Sequence, residues 1–163
     1  MAGELLGASA YIRSRLLADD ALVALIGDRV YARKAPQVDP TTGAPPAYPL
    51  IVFAEIGSRD VLAAGGETLE TVAPFLVRVI GKSGFGALKA AEGRIDTVLK
   101  SHEVCTIADS DGEAYSIMGC VRERPFMDDG VEAGVQFYSL GGIYRVYVAA
   151  HMPAPIAEPG IPV

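Results

Sequence analysis

The centre of the chain reads TVAPFLVRVIGKS (71–83), followed by GFGALKAAEGRIDTVLKS (84–101). The apolar side chains of the first stretch alternate between two faces, as they do along a β-strand. Pro74 predicts an edge position or a bulge near the start of this strand, because proline cannot donate a ladder hydrogen bond. Apolar residues recur at helical spacing in the second stretch, which predicts an amphipathic helix. A strand leading directly into a helix therefore forms the middle of the fold.

Two helices are predicted before this centre, at about residues 4–18 and 21–26, from the same helical spacing of apolar residues. Asp19 or Asp20 can cap the second helix, because a carboxylate there accepts the free N–H groups of the first turn. Gly27 then ends it, since glycine takes a left-handed conformation at no steric cost. A brief extended piece follows at residues 29–31.

Two long loops rich in proline, glycine or polar residues are predicted on either side of a strand. Residues 32–49 contain five prolines, which can sustain neither a helix nor a central strand. The β-branched and apolar stretch 50–56 predicts the strand. Residues 57–70 predict a second loop or a wide hairpin connection. We expect loops of this length to be ordered by neighbouring proteins rather than by the chain's own core.

The end of the chain predicts two more strands and an extended arm. The strands lie at about residues 114–124 and 136–149, with Gly141-Gly142 predicting a bulge or kink in the second. A polar loop is predicted at 128–134. Residues 150–163 are too rich in proline to bury a core, so we expect a Pro-rich extended arm.

These elements together predict one α+β domain at residues 1–149, followed by the arm at 150–163. We expect an antiparallel sheet of about four strands, packed on one face by the N-terminal helix pair and the central helix.

The charge of the chain argues against a protein that grips nucleic acid. Twenty acidic residues against 14 basic ones give a net charge of −6, whereas phosphate binding calls for a basic excess or stripe. We therefore expect any DNA nearby to pass without being held. The apolar runs are too short for a membrane span, so no membrane partner is predicted.

Three short motifs look like ligand-binding loops, and each lacks a residue that its chemistry needs. Gly81-Lys82-Ser83 stands where a phosphate-binding loop would end, but Leu76 occupies the position of the required earlier glycine. Gly84-Phe85-Gly86 begins like a dinucleotide fingerprint, but Lys89 occupies the third glycine position. Asp109-Ser110-Asp111-Gly112 places its glycine too early for a calcium loop. The sequence therefore predicts no cofactor and no metal.

Side chains suited to catalysis are sparse. His102 and His151 are the only histidines, and neither has partners at metal-ligand spacing. Cys105 and Cys120 have no partner motif and are interpreted as free thiols. His102 lies near Cys105 in the sequence, but a nucleophilic pair needs a geometry that this short spacing does not supply. We predict no catalytic residues and no enzymatic activity.

Charged residues in the predicted loops and strand ends are the candidate interface. Arg122 and Arg124 stand two apart, which in a regular strand puts both on one exposed face. Such a face is either an ordinary solvated surface or part of a docking surface between subunits, and both interpretations stay open. The candidate set for contacts between subunits, tube and connector is Arg59, Asp60, Arg122, Arg124, Asp128 and Asp129.

The order of these elements resembles that of a phage protein family. The similar stretches are ALVALIGDRVY (21–31), YPLIVF (48–53), FLVRVIGKS (75–83) running into the helix at 87–99, GVQFYSL (134–140) and YRVYV (144–148). Between about residues 5 and 149 the chain is similar to the tail terminator, or tail-completion, proteins of siphophages, which also occur in prophages and gene-transfer agents.

This resemblance implies a structural protein of the virion, in its tail or neck region, assembled in the host cytoplasm. Its copies would form a ring, usually a hexamer, that caps the tail tube protein and ends tube polymerisation. The other face of the ring would meet a head–tail connector or stopper protein, and DNA would pass through the lumen. The alternatives are another neck component (an adaptor or stopper) and a small-molecule-binding or enzymatic α+β domain.

Overall fold

A computed structural model describes residues 2–38, 42–66, 68–100, 103–108 and 111–149. The predicted arm at 150–163 lies outside the described residues. Within the described ranges the chain forms three helices and seven strands, which in chain order are α1 (Ala2–Leu17), α2 (Asp20–Ile26), β1 (Val30–Ala32), β2 (Leu50–Glu55), β3 (Arg59–Leu62), β4 (Thr68–Gly81), α3 (Phe85–Leu99), β5 (Cys105–Ala108), β6 (Ala114–Glu132) and β7 (Val135–Ala149).

All seven strands join one mixed sheet. Their order is β1-β2-β4-β7-β6-β5, and β3 pairs with β4 beside β2. β1 runs parallel to β2, and every other pairing is antiparallel. The prediction of about four strands in a purely antiparallel sheet is therefore wrong, although the fold remains α+β. β1 lies where the brief extended piece at 29–31 is predicted, although that piece was not counted as a strand of the sheet. The missed strands β3 and β5 have four residues each, which is too few for an alternating pattern to stand out.

The three helices lie where their sequence signals predict them. Asp19 caps α2, since its Oδ1 accepts the backbone N–H of Leu22 at 2.7 Å, and Gly27 ends the helix with φ 65°. The central helix α3 buries Leu88 and Ile95 in the core. These local predictions are confirmed because caps and apolar spacing are encoded within a few residues of each element. None of the helices that the structure describes is long and apolar enough to cross a membrane.

The core lies between the helices and one face of the sheet. Inward-facing residues of β4 and β7, such as Val77 and Val146, pack in the same cluster as Ile12 of α1 and Ile95 of α3. The backbone of α1 comes close to the sheet at Gly7. A Cβ placed on this residue would stand 2.5 Å from the ring of Tyr115 in β6.

The β6–β7 hairpin is longer than the sequence predicts. The expected polar loop at 128–134 is instead strand on both sides of a two-residue turn, Ala133-Gly134, with φ values of 49° and 77°. Two successive residues with positive φ are typical of the tight turn that suits a twisted hairpin. Ladder pairing with β7 thus overrides the weak strand propensity of the Asp- and Gly-rich sequence.

The bulges of the sheet lie in β6 rather than in β7. Register shifts occur between Ile117 and Gly119 and between Arg122 and Arg124. By contrast, β7 pairs with β4 without interruption through Gly141 and Gly142. The predicted bulge or kink at these glycines is therefore not observed. Gly141 instead allows close backbone contact, because a Cβ there would stand 2.0 Å from the carbonyl oxygen of Val77.

Candidate assembly surface

One face of the sheet faces away from the helices, and we refer to it as the helix-free face. Leu50, Val52, Val72 and Ile143 are buried there and stay outside the core cluster that contains the helices. This face carries two grooves, one at each end.

The first, which we call the arginine groove, has a volume of about 350 Å³ and a partly apolar floor that includes Val72, Pro74 and Ile143. Arg59 and Arg124 line it, and the structure records no ion pair for either guanidinium within the described residues. Two cations without partners above apolar side chains form a surface suited to carboxylates with adjacent aliphatic groups.

A third arginine in the arginine groove is already paired. Arg145 Nη2 and Nε donate to the two carboxylate oxygens of Glu123 at 2.8 and 3.0 Å. The bidentate geometry fixes both side chains across the β6–β7 ladder. The groove therefore keeps two guanidinium groups available for an outside partner rather than three.

The second, which we call the hairpin groove, lies between the proline-rich loop after β1 and the β6–β7 hairpin, with a volume of about 750 Å³. Lys82 holds its two walls together. Its Nζ stands 4.5 Å from the ring centroid of Tyr48 in the loop and 5.4 Å from that of Phe137 in the hairpin. The two rings are themselves 5.4 Å apart. These contacts give the loop a defined position on the sheet.

The net charge of the side chains that line the two grooves is opposite in sign to that of the whole chain. Seven basic and four acidic side chains line the two grooves, which gives them a net charge of +3. Because the chain carries −6 in total, its other residues carry −9. The basic side chains are Arg33, Lys34, Arg59, Arg78, Lys82, Arg124 and Arg145, and the acidic ones are Glu123, Asp128, Asp129 and Glu132.

Arg122 does not belong to this face. Its Nη2 donates to Glu92 at 2.6 Å and to the carbonyl oxygen of Gly141 at 2.9 Å, and its Nη1 stands 3.3 Å from Asp96. Glu92 and Asp96 belong to α3, so this guanidinium joins the bulged part of β6 to the central helix. The expectation that Arg122 and Arg124 share one exposed strand face is therefore wrong, because the bulge between them reverses the side on which the second arginine points.

The groups around Arg122 form an internal cluster in which the pKa values of Asp96 and Tyr144 are shifted. Burial alone would raise the pKa of Asp96, but the hydrogen bond from Lys100 and the charges of Arg122 and Lys100 lower it overall. Burial raises the pKa of Tyr144, whose hydroxyl donates to Asp96 at 3.3 Å. The ion pairs and hydrogen bonds of the cluster join β6 and β7 to α3, although Arg122 Nε is buried without a hydrogen-bond partner among the described residues.

Four of the six residues predicted for the interface line the grooves of the helix-free face. Arg59 and Arg124 meet in the arginine groove, and Asp128 and Asp129 line the hairpin groove. Asp60 is paired with Thr71 across the β3–β4 ladder and therefore faces the helix side of the sheet, where it accepts a hydrogen bond from Thr71 Oγ1 at 2.8 Å. Whether these residues contact other proteins stays a prediction.

Sequence reasoning missed several residues of the grooves. Arg78 and Arg145 occupy strand positions whose alternation already assigns them to the face opposite the core, so this signal was present. No local pattern joins Tyr48 and Lys82 to Phe137, since the three meet only through the tertiary fold.

Residues considered for metal binding or nucleophilic chemistry have no shared site in the described part of the chain. Cys120 is buried, which raises the pKa of its thiol to about 12, and Cys105 is a second free thiol. No group of three or more His, Cys, Asp or Glu side chains among the described residues could hold a metal ion. His102, His151, Asp109 and Ser110 lie outside the described residues.

Comparison with known proteins yields a structural neighbour. No protein-family profile and no curated protein matches the chain. A chain of the solved structure described as "Virion of native gene transfer agent (GTA) particle" superposes on it with a TM-score of 0.59 at 22% sequence identity. The match covers 85% of this chain and 91% of that chain. The two chains therefore share a fold over nearly their whole lengths.

Proposed function

We propose that this chain is a structural, non-catalytic protein of a phage-type virion, and more specifically a tail terminator. Its copies would form a ring, most simply a hexamer, on the last ring of the tail tube. The observation that carries the proposal is the fold shared with a chain from a gene transfer agent virion. The order of sequence elements between about residues 5 and 149, which resembles tail terminators, supports the finer assignment.

The distribution of charge is compatible with such a ring. A ring subunit needs a rigid core and chemically distinct surfaces for its neighbours on each side. Here the side chains that line the two grooves have a net positive charge, while the remainder of the chain is strongly acidic. An acidic lumen would let DNA slide through, because like charges do not adhere.

The proposal is tested by deleting the gene from the phage or particle that encodes it and imaging the products by electron microscopy. A terminator stops addition of tube subunits, so its loss should leave DNA-filled heads beside unattached tails, many of them abnormally long. Supplying the wild-type protein from a plasmid should restore joined particles with tails of normal length.

The same images separate the alternatives. A connector on the head side would leave tails of normal length, with heads that leak DNA or stay without tails. A small-molecule-binding or enzymatic domain would leave normal particles. Either result would overturn the terminator assignment, and so would a map of the intact neck with no ring of this chain at the upper end of the tube.

A further inference from the structure

We propose that the arginine groove of one copy receives the outer face of α2 from a second copy, so that subunits associate head to tail. The proposal deepens the ring assignment by naming the two surfaces that would meet around the ring. It rests on that proposed function for its biological setting and for part of the case against nucleic acid as the partner, whereas the surfaces themselves are read from the fold.

The arginine groove offers cations above an apolar floor. Arg59 and Arg124 are exposed and have no ion-pair partner among the described residues. Ile56 is exposed at its rim, with Val72 and Ile143 below. A partner that fits this chemistry presents carboxylates flanking a small apolar patch.

The outer face of α2 has that composition. Asp20 and Asp28 are exposed near its two ends, and neither has a side-chain partner within the ranges that the structure describes. Leu25 is 41% exposed between them, next to the exposed side chain of Ala24. Residues 20–28 contain no basic side chain. The segment 20–28 is therefore opposite in charge to the groove and carries an apolar side chain at its centre. The cations that adjoin it are already paired, since Arg94 is bound to Asp19 and Arg29 Nε donates to the carbonyl oxygen of Pro49.

The two surfaces lie on opposite sides of the sheet. Leu22 and Ile26 on the inner side of α2 belong to the core cluster on the helix side, whereas Val72 and Ile143 of the groove lie outside that cluster. One copy can therefore use both surfaces at the same time, which is the condition for a head-to-tail contact that closes into a ring. A twofold pairing of grooves would instead bring arginines against arginines.

Nucleic acid is the other polyanion that exposed arginines could bind. Phosphate contacts would hold DNA in place and make its retention dependent on salt, which conflicts with a protein through which DNA must pass. The excess negative charge on the rest of the chain also repels DNA before it reaches the groove. We therefore assign the groove to a second copy of this chain.

The test is a disulfide competition between two purified full-length variants, Leu25→Cys and Ile56→Cys, each in a Cys105→Ser background. Equal amounts are mixed, oxidised briefly and separated without reductant, and the three dimers are identified by mass spectrometry. Random pairing gives equal amounts of the mixed disulfide and of the two homodimeric disulfides taken together. We expect the ratio of mixed to homodimeric disulfides to rise roughly fivefold above this value, the factor produced by about 1 kcal/mol of preferred contact. Leu6→Cys, at an exposed leucine of α1, replaces Leu25→Cys in the control and should give random pairing with Ile56→Cys.

Charge reversal in the groove completes the test. Adding Arg59→Glu and Arg124→Glu to the Ile56→Cys variant should abolish the preference, and adding Asp20→Arg and Asp28→Arg to its partner should restore it. Random pairing of the original variants, or a preference that charge reversal leaves intact, would overturn the proposal. Retardation of short duplex DNA at physiological salt by wild-type protein, lost with the groove arginines, would assign the groove to nucleic acid instead.

These outcomes are independent of the deletion experiment. Long unattached tails together with random disulfide pairing would support a terminator whose ring uses other surfaces. Preferred mixed disulfides together with normal particles would show head-to-tail association in a protein that is not a terminator.

Discussion

Arg122 and Arg124 stand two positions apart on β6, yet their side chains lie on opposite faces of the sheet. Arg122 is paired with Tyr144 of β7 on the helix side, and Arg124 is paired with Ile143 on the helix-free side. A regular ladder would place Arg124 opposite Gly142 instead. The extra residue in β6, Glu123, thus places Arg122 in an internal cluster with α3 and Arg124 on the candidate assembly surface.

The two arginines should respond differently to substitution. Arg122→Ala leaves Glu92 and Asp96 half-buried without their shared cation, so we expect a loss of about 2 kcal/mol of unfolding free energy. Arg124→Ala removes an exposed side chain and should change stability by less than about 0.5 kcal/mol. Urea unfolding followed by circular dichroism measures both. Equal stability of the two variants would contradict the internal role of Arg122.

Gly7 should not tolerate a side chain. The added methyl group of Gly7→Ala would lie 2.5 Å from Cγ of Tyr115, so α1 or the ring must move, and we expect a loss of about 1–3 kcal/mol. Gly93→Ala on α3 is the matched control, since nothing lies within 4 Å of its added Cβ. This control should gain about 0.5–1 kcal/mol from helix propensity. Thermal unfolding of both variants checks the prediction, which fails if Gly7→Ala is as stable as wild type.

Acid should weaken the contact between α2 and α3. The hydrogen bond from Arg94 holds the pKa of Asp19 below its ordinary value of 3.8. A carboxyl group whose pKa is lower in the folded state than in the unfolded state stabilises the protein at pH values above its unfolded-state pKa. This stabilisation disappears as the pH falls toward the pKa of the folded state. Asp19→Asn should therefore be less stable than wild type at pH 6, with the difference shrinking below about pH 4.

Urea unfolding across this pH range measures the effect. Asp20→Asn, which removes an exposed neighbouring carboxylate without an arginine partner, should not reproduce it. A stability difference between wild type and Asp19→Asn that stays constant down to pH 2.5 would refute the linkage to Asp19.

Lys82 should hold the proline-rich loop after β1 against the β6–β7 hairpin. Lys82→Ala removes the ammonium group that contacts the rings of both Tyr48 and Phe137. A cation–π contact of this kind contributes about 0.5–1 kcal/mol at an exposed site. We expect severalfold faster amide exchange in residues 42–48, with little change in global stability. Lys89→Ala, at an exposed lysine of α3, is the control, and the same exchange rate in both variants would show that the cation–π contact of Lys82 does not hold the loop.

The local signals in the sequence were enough for the helices and for the strands β2 and β4. Asp19 and Gly27 mark the ends of α2, and apolar residues at helical spacing mark α3, because capping hydrogen bonds and periodic burial involve residues close together in the chain. The alternation along β4 likewise assigned Val77 and Arg78 to opposite faces. These features needed no knowledge of distant neighbours.

Only the tertiary structure decided the rest. The strand at Arg59–Leu62 exists because β4 offers it a ladder, and β6 continues through Asp128 and Asp129 because β7 pairs with it. The bulge after Arg122 and the meeting of Arg59 with Arg124 in one groove likewise depend on strand pairing. Such pairing depends on hydrogen bonds and packing between segments far apart in the chain. The sequence by itself therefore determined the elements with local signals, whereas their register, and with it the surface available for assembly, followed from their long-range partners.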